Sequence, residues 1–289
     1  MPPFKRRVLP LFVLVVAIMT ASGCTHMMRT GITIAHPALE NMETSLFREG
    51  NLELAREGLP GTIMLLNGML ETSPDDMLLL TMAVKAYVGL GMMIEDESPN
   101  RATALYARGT EFGIRALKHN RCFRKALENG ERISEAVRCI KSEKYLPALV
   151  WTLASMGANV LLNVDDPMIA IDLGNVRAMA SQAVSIDSDY FYGFANLFVG
   201  VANSMLPPAF GGDREKAKKA FDAISKMNDG KFLLSKVYYA RFYVTDSNEA
   251  RQIWQSVADA PDRLIPEIEL INQIAKAKAR HYLKRKGSL

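Results

Sequence analysis

Apolar positions recur at helical spacing through most of this 289-residue chain. Ala217, Ala220, Phe221, Ile224 and Met227 fall at i, i+3, i+4, i+7 and i+10, one face of a helix. Asn228-Asp229-Gly230 supplies a turn, and Leu233, Val237, Ala240 and Val244 make the matching stripe of a second helix. Thr245-Asp246-Ser247-Asn248 ends that helix and caps the next. The last helix shows Leu264, Ile268, Ile271, Ala275, Ala279 and Tyr282 on one side, and Lys284, Arg285 and Lys286 suit its negative C-terminal end. Nearer the start, residues 61–70 are rich in helix formers, and Pro74-Asp75-Asp76 breaks and restarts a helix that runs through Ala83 and Tyr87 to Gly91. Proline suits the first turn of such a helix, where its missing N–H has no partner. Trp151 follows Pro147 in a helix that is apolar through Leu162, and Tyr190, Phe191 and Tyr192 open another. Short alternating runs of β type are rare, so the pattern predicts an all-α protein.

Short helices in antiparallel pairs joined by tight turns predict helical hairpins stacked in a degenerate solenoid bundle of tetratricopeptide-like type. Residues 70–76 and 183–190 look like inter-repeat turns, but their spacing is irregular. Such repeats bind peptides, partner proteins or elongated ligands in a groove.

The N-terminus has a different pattern. Lys5, Arg6 and Arg7 precede an apolar run over 8–19, followed by Ala21-Ser22-Gly23-Cys24. A positive segment, an apolar core and small residues before a cysteine form the signal of a bacterial lipoprotein, cut just before the Cys. An ordinary secretory signal cut nearby is the alternative. The run is about half the ~20 residues that span a bilayer. The expected organisation is a signal peptide over 1–23, a tether over 24–40 and one all-helical domain over 41–289, with Cys24 as the lipidation site. Thr25 is not the Asp associated with inner-membrane retention, which favours an anchor at the outer membrane facing the periplasm. Removing the signal removes Lys5, Arg6 and Arg7 and no acid, so the net charge falls from +4 to +1. A mature chain so nearly neutral has no electrostatic footprint for nucleic acid. Cys122 and Cys139 remain, 17 residues apart, and in an oxidising compartment they permit one disulfide or two buried thiols.

Candidate chemistry is sparse. Trp151, with an indole N–H free to bond a ligand oxygen, and Tyr192, Asn196 and Asn203, on one face of their helix, combine apolar bulk with a few polar groups, as small-ligand pockets do. A core tryptophan and helix–helix hydrogen bonds are the structural alternatives. Pro207-Pro208-Ala209-Phe210-Gly211-Gly212-Asp213 lies between two helices. There Gly211 and Gly212 suit either an anion at the next helix's N-terminus or a tight connection capped by Asp213. His26, His36, His119 and His281 lack Cys or acidic neighbours at metal spacing, so no metal or cofactor is expected. Asp165-Asp166 before Pro167 suits capping better than acid–base work, and no nucleophile motif accompanies any Ser or Cys, so the chain is not read as an enzyme.

The stretch from 145 to 283 resembles the T component of TRAP transporters, the TatT family of periplasmic lipoproteins. The match rests on Leu146-Pro147-Ala148-Leu149-Val150-Trp151, Asn163-Val164-Asp165-Asp166-Pro167, residues 183–192, the Pro207 to Asp213 segment leading into Lys216-Ala217, Val237-x-x-Ala240 and Asn272-x-x-Ala275-x-x-Lys278-Ala279. Residues 41–144 match more loosely, through helix lengths and Tyr106-x-Arg108. The resemblance implies an all-helical lipoprotein with tetratricopeptide-like hairpins, associated with the solute-binding P protein of a permease driven by ion gradients. It also implies a homo-trimer with a central pore, and a cavity for a small hydrophobic organic acid. A lipoprotein scaffold for cell-envelope assembly is the alternative reading of the same helical groove. The anchor has a direct test: Cys24→Ala should abolish incorporation of radioactive fatty acid, and unchanged labelling would exclude Cys24 as the lipid site.

Overall fold

The computed structural model describes residues 27–164, 166 and 169–284, and among these there is helix and loop but no strand. An N-terminal helix α1 (27–47) is followed by α2 (Leu52–Thr72), α3 (Met77–Ile94) and α4 (Pro99–Leu117). Two short helices, α5 (Arg121–Glu128) and α6 (Ile133–Ala136), lead to α7 (Leu146–Leu162), α8 (Ile169–Ile186), α9 (Tyr190–Met205) and α10 (Arg214–Met227). The chain ends in α11 (Leu233–Tyr238), α12 (Ser247–Ala258) and α13 (Glu269–Lys284). From α2 to α4, and again from α7 to α10, each helix packs on the next; α4 packs on α7 across the short pair, and α11 and α12 both pack on α13. The last helix returns against α2, so the two ends of the described chain share one core.

Polar side chains start these helices. Asn51 accepts from the Glu53 and Leu54 amides at 3.0 and 3.1 Å, and Asp76 does the same for Leu78 and Leu79. Asp213 and Asp246 cap α10 and α12. Pro147 sits in the first turn of α7, where no N–H is needed. Pro74, by contrast, lies in the turn before α3, because Asp76 takes the cap position. The α4–α7 crossing is close because small residues meet there. A Cβ on Gly109 would lie 2.6 Å from Ser155 Oγ, and that hydroxyl donates to the Tyr106 carbonyl at 2.7 Å. α3 and the stretch Glu143–Leu162 are apolar enough in length and composition to cross a membrane, and most of each is buried inside the fold.

The C-terminal stripes match the burial. Ala217, Ala220, Phe221 and Ile224 are buried on α10, as are Leu233, Val237 and Ala240 beyond the turn. That turn places Asp229 and Gly230 at φ 50° and 66°. After Tyr238 the chain widens into a π-helical turn over Tyr239–Tyr243, and Leu264 and Ile268 precede α13 rather than belonging to it. Residues 27–40, expected as a tether, are helical and continuous with 41–47. Ile32 and Leu39 are buried, and Met42 and Leu46 continue the same face onto the core. His36 Nε2 meets the Asp76 carboxylate at 2.8 Å, which ties α1 to the cap of α3. The signal segment 1–23 and Cys24 lie outside the described residues. Cys122 and Cys139 are bonded, with Cα atoms 5.6 Å apart, and join α5 to the turn that follows α6.

A buried polar cluster joins the halves of the chain. Lys278 on α13 is 1% exposed and forms an ion pair with Glu95 at the C-terminal end of α3, and its ammonium also reaches Asp96 at 3.3 Å. The Tyr106 hydroxyl donates to the other oxygen of Glu95. Burial is the largest single influence on Lys278 and lowers its pKa, but Glu95, the Tyr238 and Tyr282 phenols and Asp96 together outweigh it and hold the ammonium above the ordinary lysine range. Burial, reinforced by Glu95, pushes the Tyr106 and Tyr238 phenols up. Arg241 donates to the Tyr282 hydroxyl at 2.5 Å beside them.

Paired substitutions test this packing. Phe221→Asp puts a carboxylate on the buried face of α10 and should destabilise the fold by about 3 kcal/mol or more. Lys218→Asp on the exposed face replaces a solvent-screened i, i+4 pair with Asp222 by a screened like-charge contact and should change stability by less than about 1 kcal/mol. Equal urea midpoints would mean that the buried face is misassigned. Lys278→Met strands the Glu95 carboxylate and should cost about 3–5 kcal/mol, much of it recovered in the Lys278→Met/Glu95→Leu double variant. Additive losses in urea unfolding would show that the two residues do not act as a pair.

Candidate functional site

Small residues face one another where α2 meets α3. Ala55 and Gly58 on α2, and Ala86 and Gly89 on α3, leave space that α1 and α13 close from either side. The result is a cavity of about 380 Å³, within the size range of small-ligand pockets. Its walls are mainly apolar, with Met42, Leu46, Leu59, Met82, Ile271 and Ile274 among them. The helical stripe of α1 that covers the core also roofs the cavity.

One end of the cavity is polar. Lys85 and Glu43 form an ion pair there, their side chains 16% and 21% exposed. The Lys85 ammonium stands 6.0 Å from the centre of the Trp151 ring. Trp151 is 1% exposed and sits among Phe47, Phe191 and Phe194, with ring centroids 5.0 to 5.6 Å away. Among the described residues its indole N–H has no acceptor in ordinary hydrogen-bond geometry, although it lies close enough to the Tyr190 phenol to influence it. The Tyr190 phenol is pushed above its usual range by burial and by Glu43, while the Trp151 N–H draws it the other way. A carboxylate head beside Lys85 and Trp151, with an apolar tail along α2 and α3, matches this distribution of polar and apolar groups.

The structure does not bring the four predicted groove residues together. Trp151 lines the cavity, whereas Tyr192, Asn196 and Asn203 do not. Asn196 donates to the Ser188 carbonyl at 3.0 Å and holds the turn before α9. Asn203 donates to the Val199 carbonyl at 2.8 Å within its own helix. Tyr192 belongs to a left-handed turn: Phe191, Tyr192 and Gly193 have φ of 47°, 60° and 76°. The two non-glycine residues each carry about 1–2 kcal/mol of strain. The Tyr192 carbonyl accepts from Asn228 Nδ2 at 3.0 Å, and the Phe191 ring packs on Trp151 and Phe47, so contacts from three helices hold the turn.

The glycine loop makes a connection between helices. The amides of Gly211 and Gly212 donate to the Pro208 and Pro207 carbonyls at 3.0 and 3.1 Å, so neither is free for an anion. Gly211 adopts φ 84°, and a Cβ on Gly212 would collide with the Leu206 carbonyl oxygen. Asp213 accepts from the Lys216 amide at 2.9 Å. Asp165 lies outside the described residues. Among the described residues no group of three or more His, Cys, Asp or Glu side chains is placed to hold a metal ion.

Sequence reasoning missed most of the cavity. Its walls on α1 and α2 give no motif, since a stripe tells which face is buried but not where two faces fail to meet. It also missed Glu95 and Asp96, although their partners Tyr106 and Lys278 stand in the segments that carry the family resemblance. Asn272, from the same C-terminal segment, proves structural: it accepts from the Leu233 amide at 3.0 Å and donates to the Lys231 carbonyl at 3.1 Å.

No curated protein matches the chain. The family model described as the TRAP transporter T-component matches residues 48–289, which takes in α2 to α13, Lys85 and Trp151 of the cavity and the Lys278–Glu95 pair. With most of its length inside that match, this all-helical protein belongs to the TRAP transporter T-component family, and so to the parts of a transporter associated with the cell envelope.

Proposed function

We propose that the chain is a lipid-anchored, periplasm-facing accessory of a TRAP-type importer. It docks the solute-binding P protein and holds a small apolar ligand with a carboxylate head in the cavity under α1. Binding is non-covalent. The observation that carries the ligand reading is the pairing of an apolar cavity with the half-buried Lys85 ammonium at its polar end. Membership of the T-component family supports the link to a solute-binding protein. The anchor reading is supported by the basic, apolar and small-residue order that ends at Cys24.

Dodecanoate and dodecanol are suitable probes, because they share a tail and differ in charge. In a Trp254→Phe background, Trp151 is the only indole left, and its emission should respond to dodecanoate. Gly89→Phe fills the cavity and should abolish that response while leaving the chain folded. Lys85→Met should weaken dodecanoate about tenfold or more, the loss expected for a hydrogen bond to a charged group, and spare dodecanol. Equal dodecanoate titrations for the parent and Gly89→Phe would reject this cavity as the site. Capture of the cognate solute-binding protein by the same variants tests docking separately.

A further inference from the structure

The α1–α2 hairpin has an outward face as well as the inward face that roofs the cavity. Met28, Met64 and Leu65 are 56%, 70% and 51% exposed and flank a shallow crevice between the two helices, and Ile34 on the adjoining turn of α1 is 75% exposed. Single exposed apolar residues are ordinary, whereas a contiguous apolar patch marks a surface that meets protein or lipid. From Thr30 to Leu39 and from Gly58 to Leu70 the only ionisable side chain is His36. An exposed helix face normally carries charge. These two stretches therefore present an uncharged surface to solvent for several helical turns.

The position of the patch suggests what covers it. Arg29 Nε donates to the Thr72 carbonyl at 3.1 Å, so the start of α1 and the end of α2 lie at the same end of the hairpin. The crevice, with Met28 and Gly31 on one side and Gly68 and Thr72 on the other, is at that end. Met27 is three residues from Cys24, and three residues of chain span at most about 11 Å. An acyl group on Cys24 would hold the bilayer surface within that distance of the patch. Amphipathic helices lie in the interface with their apolar face about 5–10 Å deep at the headgroup boundary.

We propose that the apolar face of the α1–α2 hairpin seats the domain on a phospholipid bilayer, so that the protein rests on the membrane in one orientation rather than hanging from a flexible leash. This rests on the reading of Cys24 as acylated, and the test separates the two.

Ile34→Cys, Met64→Cys and, as a control on the exposed side of α10, Lys219→Cys should each be made in the full chain with its signal. With Cys122 and Cys139 bonded and Cys24 acylated, the new thiol is the one free for an environment-sensitive fluorophore. The acyl mass on Cys24 is measured first, and the protein is then reconstituted into vesicles of phosphatidylethanolamine and phosphatidylglycerol carrying a shallow nitroxide-labelled lipid. The expected result is loss of fluorescence at positions 34 and 64 and none at 219. Adding Met64→Glu and Leu65→Glu to the Ile34→Cys chain should restore its fluorescence while the protein still floats with the vesicles, because the acyl anchor remains. Acylated protein whose probes at 34 and 64 escape the lipid quencher would overturn the seating and leave the anchor standing, whether water or a second copy of the chain surrounds the probes. A mature chain with no acyl mass on Cys24 would overturn both.

Discussion

One buried ion pair, Lys278 with Glu95, ties together parts of the fold that are 183 residues apart in the chain. Glu95 ends α3 and Lys278 lies on α13, and both helices also line the cavity. The pair therefore links two helices that both contribute to the cavity wall, and joins distant parts of the chain. Charges buried in this way gain little over a well-packed apolar contact, yet breaking one partner is severe. The cluster thus ties α13 to α3, and the Tyr106 hydroxyl completes the hydrogen bonding of Glu95, with Tyr238 and Tyr282 close by. Burial and the nearby carboxylates keep those phenols protonated well into alkali.

The cavity follows from what this arrangement leaves unfilled. Ala55, Gly58, Ala86 and Gly89 are too small to close the gap between α2 and α3, and α1 lies over it. At the polar end the aromatic group around Trp151 is backed by the left-handed turn at Phe191 and Tyr192. Strain of that kind persists only where packing over-determines it. Here Phe47 of α1, Trp151 of α7 and Asn228 at the end of α10 all contact the turn.

Much of the fold is legible in the sequence because helical stripes report burial directly. The α10 stripe, the turn at 228–230, the Pro147 opening of α7 and the all-α class can all be read from spacing and capping residues. Residues 27–40 read as a tether because His36-Pro37 looks like a break, although Ile32, Leu39, Met42 and Leu46 already form a stripe. The helix α2 likewise passes through Pro60, so its start at Leu52 is earlier than the composition suggests. The site is less legible for a different reason. Trp151 has a chemistry that stands out alone, but a cavity is an absence of contact between helices, which no one-dimensional period records. Asn196 and Asn203 stand out as polar residues on an apolar face, and they satisfy local backbone carbonyls instead.

The bond between Cys122 and Cys139 sits where the helices are shortest, beside α5 with eight residues and α6 with four. Closing a loop of about that length removes roughly 3 kcal/mol of freedom from the unfolded chain. Such a cross-link persists where thiols are not kept reduced. The clip is therefore conditional on the surroundings of the chain: where thiols are kept reduced, the same sequence would lack it, and α5 would lose its covalent tie to the turn after α6.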